Sequence, residues 1–331
     1  MVTGTVQVAR AAGIVTLTLN PALDLATTTA QVAPTHKLRC GPVQRFPGGG
    51  GINVARVLHR LGADVAAWAL VGGAAGAQIA TLLAHEDVPT RLHPIAGDTR
   101  ENLSVVETTT GQEFRFVLPG PTVAPAEWQA LLADLAPPAD AAATAPGPTR
   151  WWVASGSLPP GLPDTTYAEL ARAARRQGVR LALDTSGPAL AAALQAGVAL
   201  VKPSLRELRE LLGEPLAAPA DWHRAARTLV QQGQAGMVAL SLGEQGALLA
   251  TPGGAWQAPA LPAAAQHGTT GAGDCFLAAL VWALDRGEAP PEALRWGIAA
   301  GAAALQSPGT SLAAAADVHR LLAQVPVPMA L

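Results

Sequence analysis

Cysteine and lysine are both scarce in this chain, with two of each among 331 residues. The cysteines, Cys40 and Cys275, are too few for a disulfide framework or a cysteine-rich zinc site, which favours a reducing compartment. Only 14% of the residues are charged and the net charge is −2, so no basic surface for nucleic acid is expected. No apolar run reaches the roughly 20 residues of a membrane span, and Met1–Ala12 lacks the apolar core of a secretion signal. We therefore expect a cytoplasmic protein with neither nucleic-acid nor membrane partners.

The positive charge is carried by 20 arginines, and only Lys37 and Lys202 are lysines. A compact, flexible ammonium contacts phosphate at places where a planar guanidinium does not fit. The two lysines therefore indicate phosphate contacts, with chance survival at the surface as the alternative.

Apolar, β-branched segments alternate with segments of helical period, and 50% of the residues are hydrophobic. This alternation predicts an α/β fold, a doubly wound, mostly parallel sheet with helices on both faces, in a single domain over residues 1–331. Ligands of such sheets bind beyond the carboxyl ends of the strands, where Asn20, Asp24 and Asp184 fall. The predicted strands are 14–19, 65–71, 151–155, 180–184, 198–202 and 237–241. The predicted helices are 50–61, 76–85, 126–135, 165–177, 188–195, 205–212, 221–232, 272–286, 291–305 and 314–324.

Two segments depart from this alternation. Residues 24–46 are polar and irregular, and residues 100–118 indicate a hairpin with its turn at 109–112. On the second strand of the hairpin Phe114, Phe116 and Leu118 share one face, with Arg115 on the other. Both segments together predict a small β-lid, built from about 24–46 and 100–118, at the ligand edge of the sheet.

The turn Gly271-Ala272-Gly273 leads into an apolar helix and places Asp274 on its first turn. Free N–H groups at a helix N-terminus, without large side chains, form an anion site. A carboxylate beside that site can take a proton from a hydroxyl group as a phosphoryl group arrives. Phosphoryl transfer to an alcohol is therefore indicated. The structural alternative is a glycine-rich turn whose aspartate is stabilised by the helix dipole.

A second glycine run, Gly48 to Gly51, begins another helix, with Asn53 one step inside it. No Gly-Lys-Ser/Thr follows, so this is not a Walker A loop, and contiguous glycines do not match a Rossmann fingerprint. Four glycines allow a polar ligand to approach the backbone closely, which we favour over a flexible helix entry.

Several motifs, in this order, resemble those of the ribokinase-like (PfkB) family of sugar kinases, over nearly the whole chain from Thr16 to the last helix. They are Gly48–Arg56 (GGGGINVAR), Ser155–Gly161 (SGSLPPG), Lys202–Glu207 (KPSLRE), Ser241–Gly246 (SLGEQG) and Gly271–Asp274 (GAGD). Within the family, four further segments are similar to the lid and substrate segments of the minor bacterial 6-phosphofructokinases (isozyme II). These segments are Lys37–Cys40, Phe46–Gly48, Thr99–Leu103 and Phe114–Gly120.

The resemblance implies a kinase, dependent on ATP and Mg²⁺, that converts fructose 6-phosphate to fructose 1,6-bisphosphate. It assigns the general base to Asp274 and the anion hole to the N–H groups of Gly271, Ala272 and Gly273. The residues implied in binding the sugar phosphate are Asp24, Lys37, Gly49, Gly50, Asn53, Arg100, Asn102, Arg115 and Ser157. Pairing through the lid, to give a homodimer, is implied as well.

The resemblance also implies a nucleotide site and two cation sites. The residues implied in binding ATP are Lys202, Ser204, Glu207, Ser241, Gly243 and Gly246. Glu207 is expected to hold Mg²⁺ through water, since Mg²⁺ sheds its hydration shell reluctantly. A monovalent cation, K⁺, is implied near Gly268, Thr270, Ala304, Ser307, Gly309 and Ser311.

The sequence departs from the 6-phosphofructokinase pattern in three places. Ser204 replaces an asparagine, and this leaves the water network around Mg²⁺ one contact short. Gly268 and Thr270 replace a serine and a valine, which leaves K⁺ dependence open. Asn20-Pro21-Ala22-Leu23-Asp24 is closer to 1-phosphofructokinases and tagatose-6-phosphate kinases. Cys275, next to the expected base, is interpreted as a small packed residue rather than a redox sensor.

Three alternatives to a 6-phosphofructokinase follow. The first is the same chemistry on fructose 1-phosphate or tagatose 6-phosphate. The second is a non-catalytic sugar-phosphate sensor, which the presence of Asp274 and its glycine turn disfavours. The third is a kinase for nucleosides or unphosphorylated sugars, which two arginines in the lid disfavour.

Overall fold

The computed structural model describes residues 12–136, 149–262, 271–307 and 311–331. The strands are β1 (Ile14–Thr18), β2 (Ala22–Thr29), β3 (Gln44–Gly48), β4 (Val65–Val71), β5 (Thr90–Pro94), β6 (Arg100–Glu107), β7 (Glu113–Phe116), β8 (Trp151–Ser155), β9 (Arg180–Asp184), β10 (Val198–Val201), β11 (Ala235–Ser241), β12 (Ala247–Thr251), β13 (Gly254–Ala258) and β14 (Met329–Ala330). The helices are α1 (Gly50–Arg60), α2 (Gly73–His85), α3 (Pro125–Leu135), α4 (Thr166–Arg176), α5 (Gly187–Ala196), α6 (Leu205–Leu212), α7 (Pro219–Gln231), α8 (Ala272–Asp285), α9 (Pro290–Leu305) and α10 (Ala315–Leu322).

The main sheet has ten strands in the order β14-β13-β12-β11-β10-β9-β8-β1-β4-β5. From β11 to β5 the neighbouring strands are parallel, whereas β12, β13 and β14 pair antiparallel. Every predicted strand and helix is present, and the predicted mostly parallel α/β sheet is confirmed. The strands β5, β12, β13 and β14 are additional. Their alanine-rich or polar sequences, such as TRLHP in β5, carry weak strand signals.

Helices pack on both faces of this sheet and make two hydrophobic layers. The consecutive residues Trp151 and Trp152 in β8 are 0% and 2% exposed and belong to opposite layers, as the alternation of a strand requires. One layer contains α8, which packs between α1 and α9. The first turn of α8 is thereby held beside the carboxyl ends of the central strands.

A separate small sheet has the order β3-β2-β6-β7. The predicted hairpin is β6 and β7, and Leu103 pairs with Phe116 across it. Residues 24–46 are less irregular than expected, because most of β2 and the first three residues of β3 lie within them. The parallel partner of β2 is β6, which lies more than 70 residues away, and it pairs Asp24 with Asn102. A local pattern does not reveal a pairing over such a separation.

Within the described ranges, no helix is both long enough and apolar enough to span a bilayer.

Candidate active site

Asp274 lies on the first turn of α8, as predicted, and two side chains from other elements hold it. Gly271 caps the helix in the left-handed conformation, with a φ of +79°, which glycine adopts without strain. The side-chain amide of Asn53 on α1 donates to Asp274 Oδ2 at 2.9 Å. The hydroxyl of Ser155, at the end of β8, donates to Oδ1 at 3.2 Å. The carboxylate is therefore fixed in orientation at the point where α8 begins.

The pKa of Asp274 is suited to a general base that acts near neutral pH. Burial raises the pKa of Asp274 to about 6, and the charge of Asp184 acts in the same direction. Hydrogen bonds from Asn53 and Ser155 and the charge of Lys202 oppose this rise. At pH 7 the carboxylate is mostly ionised and more basic than an ordinary aspartate.

A buried ion pair lies beside the same helix turn. Lys202 Nζ is 3.1 Å from Asp184 Oδ2, and the lysine side chain is 6% exposed. Burial alone would lower the pKa of Lys202, but the charges of Asp184, Asp274 and Glu207 raise it, so the ammonium stays protonated. A β-carbon added at Gly273 would lie 3.4 Å from Nζ. The ammonium group of Lys202 therefore lies next to the N-terminus of α8, so that it and the free N–H groups of the helix can contact the same anion.

The contributions of Asp184 and Ser155 at this site were missed from the sequence. Asp184 was recognised only as a polar residue that ends a strand, and Ser155 only as part of a motif. Both are more than 70 residues distant from Asp274 in sequence, and β8 and β9 are adjacent parallel strands that end together. Their position at the carboxyl ends of apolar strands was the available signal.

The small sheet places a second polar group near this edge. Asn102 Nδ2 donates to Asp24 Oδ1 at 2.9 Å across β6 and β2. Burial raises the pKa of Asp24, while the Asn102 hydrogen bond and the charges of Arg115 and Arg100 oppose it. Arg115 is exposed on β7 and lines a small cavity with Asp24 and Asn102. These predicted substrate residues are thus brought together.

Arg100 and Ser157 meet at Asn20. Arg100 donates through Nη2 to the carbonyl of Asn20 and through Nη1 to that of Leu118, each at 3.1 Å. The Asn20 amide donates to Ser157 Oγ at 3.1 Å. Lys37, by contrast, is exposed between β2 and β3, and no hydrogen bond or ion pair joins it to another described residue.

Packing accounts for the glycine run that begins α1. A β-carbon added at Gly50 would lie 2.1 Å from Ser155 Oγ, and one at Gly51 would lie 2.3 Å from the Leu17 carbonyl. Gly49 has a φ of +110°, and its added β-carbon would lie 2.6 Å from Thr18 Cγ2. The close approach of α1 to β1 and β8 therefore requires these glycines. It is also what brings Asn53 to Asp274.

A groove of about 850 Å³ adjoins the first turn of α8. Ser204, Ser241, Gly243 and Gly246 line it, together with apolar residues of α8 and α9 such as Phe276 and Ile298. An apolar groove of this size with few polar groups at one end is typical of a small-molecule site. Four of the six predicted nucleotide residues thus share one groove with Ala272 and Gly273 of the anion site, whereas Lys202 and Glu207 do not line it.

Ser204 and Glu207 form the N-terminal cap of α6. Ser204 Oγ accepts from the N–H of Glu207 at 3.3 Å, and Glu207 Oε2 accepts from the N–H of Ser204 at 2.8 Å. This reciprocal pair is a capping box. Ser204, which stands where the family pattern has an asparagine, therefore has a local structural role as a helix cap. The other carboxylate oxygen of Glu207, Oε1, takes no part in this capping box.

The cation residues are only partly described. Gly268, Thr270 and Gly309 lie outside the described residues. Ala304 and Ser307 lie at the end of α9, where Ser307 Oγ donates to the carbonyl of Ala303 at 3.2 Å. Across the ranges that the structure describes, no group of three or more His, Cys, Asp or Glu side chains is placed to hold a metal ion.

Cys275 is fully buried and accepts a hydrogen bond from the N–H of Ala313 at 3.4 Å. Burial raises the pKa of the Cys275 thiol to about 12, so the reactive thiolate is scarce at neutral pH. This environment agrees with the expectation of a packed residue.

Comparison with known proteins identifies the family. Residues 17–316 match the model of the pfkB family of carbohydrate kinases, and the chain belongs to this family. It is 44% identical to the ATP-dependent 6-phosphofructokinase isozyme 2 of Mycobacterium tuberculosis, over 93% of this chain and 88% of that one. It is 40% identical to the isozyme 2 enzyme of Escherichia coli, over 94% and 98% of the two chains. The crystal structure of phosphofructokinase-2 from Escherichia coli in complex with fructose-6-phosphate superposes with a TM-score of 0.87 at 38% identity, and the match covers 95% of this chain and 99% of that chain. The resemblance inferred from the motifs is thereby confirmed.

Proposed function

We propose that this protein transfers the γ-phosphoryl group of ATP to the 1-hydroxyl of fructose 6-phosphate, giving fructose 1,6-bisphosphate and ADP. The observation that carries the proposal is the joint placement of Asp274 and Lys202 beside the N-terminus of α8, between a nucleotide-sized groove and the polar residues of the small sheet. Relatives at 40% and 44% identity that are named ATP-dependent 6-phosphofructokinase support the choice of acceptor.

In this mechanism Asp274 accepts the proton of the 1-hydroxyl as its oxygen attacks the γ-phosphorus and the bond to ADP breaks. The N–H groups of Gly271, Ala272 and Gly273 donate to the phosphoryl oxygens, and Lys202 stabilises the same charge. These donors are fixed before the reaction, so little reorganisation is needed during it. Asn53 and Ser155 orient the base, and Asp184 holds the lysine.

Mg²⁺ would supply charge neutralisation at the ATP phosphates. The donor set fits, because Glu207 has one carboxylate oxygen outside the capping box, and its capping partner Ser204 lines the groove. A single protein carboxylate is typical of Mg²⁺ that keeps most of its waters. Glu207 is therefore proposed to hold the ion through water.

Residues of the small sheet are proposed to hold the sugar phosphate. Asp24 and Asn102 face the same cavity as Arg115 and would bind sugar hydroxyls. Arg100, Arg115, Lys37 and Ser157 would bind the existing phosphate group, a charge-assisted contact that arginine favours.

Replacing Arg115 by alanine is expected to raise KM for the sugar phosphate roughly 10- to 150-fold, the range for a lost hydrogen bond to a charged group. KM for ATP should change less than twofold, because the nucleotide groove is formed by other elements. Steady-state kinetics with each substrate varied in turn measure both. Arg320→Ala, which removes an exposed arginine on α10, is the control. An unchanged sugar-phosphate KM with lowered stability would make Arg115 structural.

The small sheet is proposed to act as a β-lid and to pair two chains in a homodimer. Leu103, Phe116 and Leu118 are 37%, 52% and 52% exposed on it. Burying such side chains against a second copy is favourable by about 25 cal/mol per Å² of apolar surface. The strands β3 and β7 at its edges also carry unpaired backbone groups in the single chain.

Phe116→Asp is expected to yield monomers with weaker sugar-phosphate binding, since a carboxylate would be buried without a partner in the interface. Sedimentation measures the state of assembly. Val327→Asp is the matched control, because Val327 is 84% exposed next to β14 at the far edge of the main sheet. A wild-type monomer that is fully active at assay concentration would exclude the lid dimer.

The acceptor is tested by measuring kcat/KM for fructose 6-phosphate, tagatose 6-phosphate and fructose 1-phosphate with ATP. Fructose 6-phosphate is expected to be the best substrate. The alternative of a tagatose-6-phosphate kinase or a 1-phosphofructokinase takes its support from the Asn20–Asp24 segment. If fructose 6-phosphate were not among the best two, the proposed substrate would be wrong.

A further inference from the structure

The turn that precedes α8 is in contact with a second segment of unusual backbone conformation. Leu312 has a φ of +61°, which is uncommon for any residue other than glycine and asparagine. Its side chain is buried, with 3% of the residue exposed. A β-carbon added at Gly271 would lie 2.5 Å from Leu312 Cδ2. Leu312 therefore rests directly on the α-carbon of Gly271.

Such a conformation persists only where the surroundings enforce it, and Arg60 provides the restraint. Arg60 Nη1 donates to the carbonyl of Ser311 at 2.7 Å and to that of Ala313 at 3.2 Å. These are the two carbonyl groups that flank Leu312. On the other side, the N–H of Ala313 donates to Cys275 Sγ on α8. The segment 311–313 is thus held from α1 and from α8 at once.

Arg60 is itself oriented by a half-buried acid, Glu86, and by a second arginine. Glu86, the residue that follows α2, accepts from Arg60 Nη2 at 3.1 Å and from Arg56 Nε at 3.0 Å. Arg56 is 2% exposed and donates through Nη1 to the carbonyl of Pro47 in β3. Arg56 and Arg60 are four residues apart and so share one face of α1. Burial alone would raise the pKa of Glu86, but the two guanidinium groups lower it, and the acid stays ionised.

We propose that Arg60, oriented by Glu86 and Arg56, is a positioning residue for the catalytic turn. By holding the 311–313 segment, it keeps the Leu312 side chain packed against Gly271. This packing fixes the orientation of the first N–H groups of α8 and of the Asp274 carboxylate. The inference rests on the proposed function of that turn. Because Arg56 also holds Pro47, which pairs with Leu23 beside Asp24, the same network ties the small sheet to the catalytic turn.

Replacing Arg60 by methionine, which keeps the length of the stem and removes the donors, is expected to lower kcat about 10- to 100-fold. A displacement of catalytic groups by about 1 Å has an effect of this size. KM for ATP and for fructose 6-phosphate should stay within about twofold, since Arg60 is not in the groove or the cavity of the small sheet. Arg60→Lys should recover most of kcat, because an ammonium can donate to both carbonyl groups.

Arg295 offers a control with the same local chemistry. It donates to the carbonyls of Leu322 and Val325 at 3.0 and 3.2 Å and pairs with Glu292 at 2.8 Å. Its side chain is 22% exposed, against 28% for Arg60. Arg295→Met should therefore lower the melting temperature about as much as Arg60→Met while leaving kcat within about twofold of wild type.

Hydrogen exchange provides a readout that does not depend on turnover. In Arg60→Met the amides of a peptide covering 271–276 should exchange faster than in wild type, and in Arg295→Met they should not. Wild-type kcat and wild-type exchange in Arg60→Met would overturn the inference. A loss of kcat equal to that in Arg295→Met would also overturn it. If the wild-type protein failed to phosphorylate any hexose phosphate, the proposed function would fall, and the exchange result would still decide the role of Arg60.

Discussion

Replacing Asp274 by asparagine is expected to lower kcat by roughly 10²- to 10⁴-fold, the usual contribution of a positioned base. The amide has nearly the same shape and can still accept from Asn53, so the fold and both KM values should be preserved. It cannot accept the proton of the sugar hydroxyl. Steady-state kinetics together with thermal unfolding measure the two effects separately. A kcat within tenfold of wild type would exclude Asp274 as the base.

The pH profile provides a second test of Asp274. Because burial raises the pKa of Asp274 to about 6, the active ionised form is lost as the pH falls through that value. In wild type, kcat/KM for the sugar phosphate should be level above pH 7 and fall about tenfold per unit below pH 6. The residual activity of Asp274→Asn should lack this acid limb. An acid limb centred near pH 4 in the wild type would contradict the raised pKa.

Replacing Lys202 by methionine is expected to lower both turnover and stability. The variant removes a cation aimed at the transferring group, an effect of about 10²- to 10³-fold in kcat by analogy with a lost oxyanion donor. It also leaves the buried Asp184 carboxylate without its partner at 3.1 Å. Breaking a buried ion pair in this way costs about 3–5 kcal/mol of unfolding free energy. Denaturant unfolding and kinetics measure the two losses.

The double variant Lys202→Met/Asp184→Asn separates the two effects. With both charges removed, most of the lost stability should return, because no unpaired buried charge is left at the pair. Turnover should not return, since the phosphate-facing ammonium is still missing. Recovery of kcat along with stability would mean that Lys202 is structural.

The catalytic segment was predictable because its chemistry is local. Gly271, Ala272, Gly273 and Asp274 are consecutive, and a turn followed by an apolar helix is enough to place an acid beside free N–H groups. The order of strands and helices was predictable for the same reason, since each element is encoded by the period of its own side chains. The hairpin of β6 and β7 carried its signal in a turn containing Gly111.

The sequence did not determine why four glycines occur at Gly48–Gly51, because the same pattern can arise from two physical causes. Glycines that admit a ligand and glycines that admit a neighbouring strand look alike in sequence. In the structure Ser155 and Leu17 occupy the space that a β-carbon would need at Gly50 and Gly51. Close packing is therefore sufficient to explain them. The sequence pattern also did not reveal that Ser204 caps α6, a local role that the structure shows.

By itself the sequence determined the α/β alternation, the segments that carry the chemistry and the family that the comparisons confirm. Only the tertiary structure decided that Asp184 holds Lys202, that Asn53 and Ser155 orient Asp274, and that Arg60 holds the segment against Gly271. The reason is the distance along the chain. Each of these contacts joins residues from separate elements, and their meeting depends on which strands become neighbours and how closely the helices pack. The periodicity of a segment shows which side of that helix or strand is buried. Which helices and strands then pack against each other is decided by the packing of the whole core.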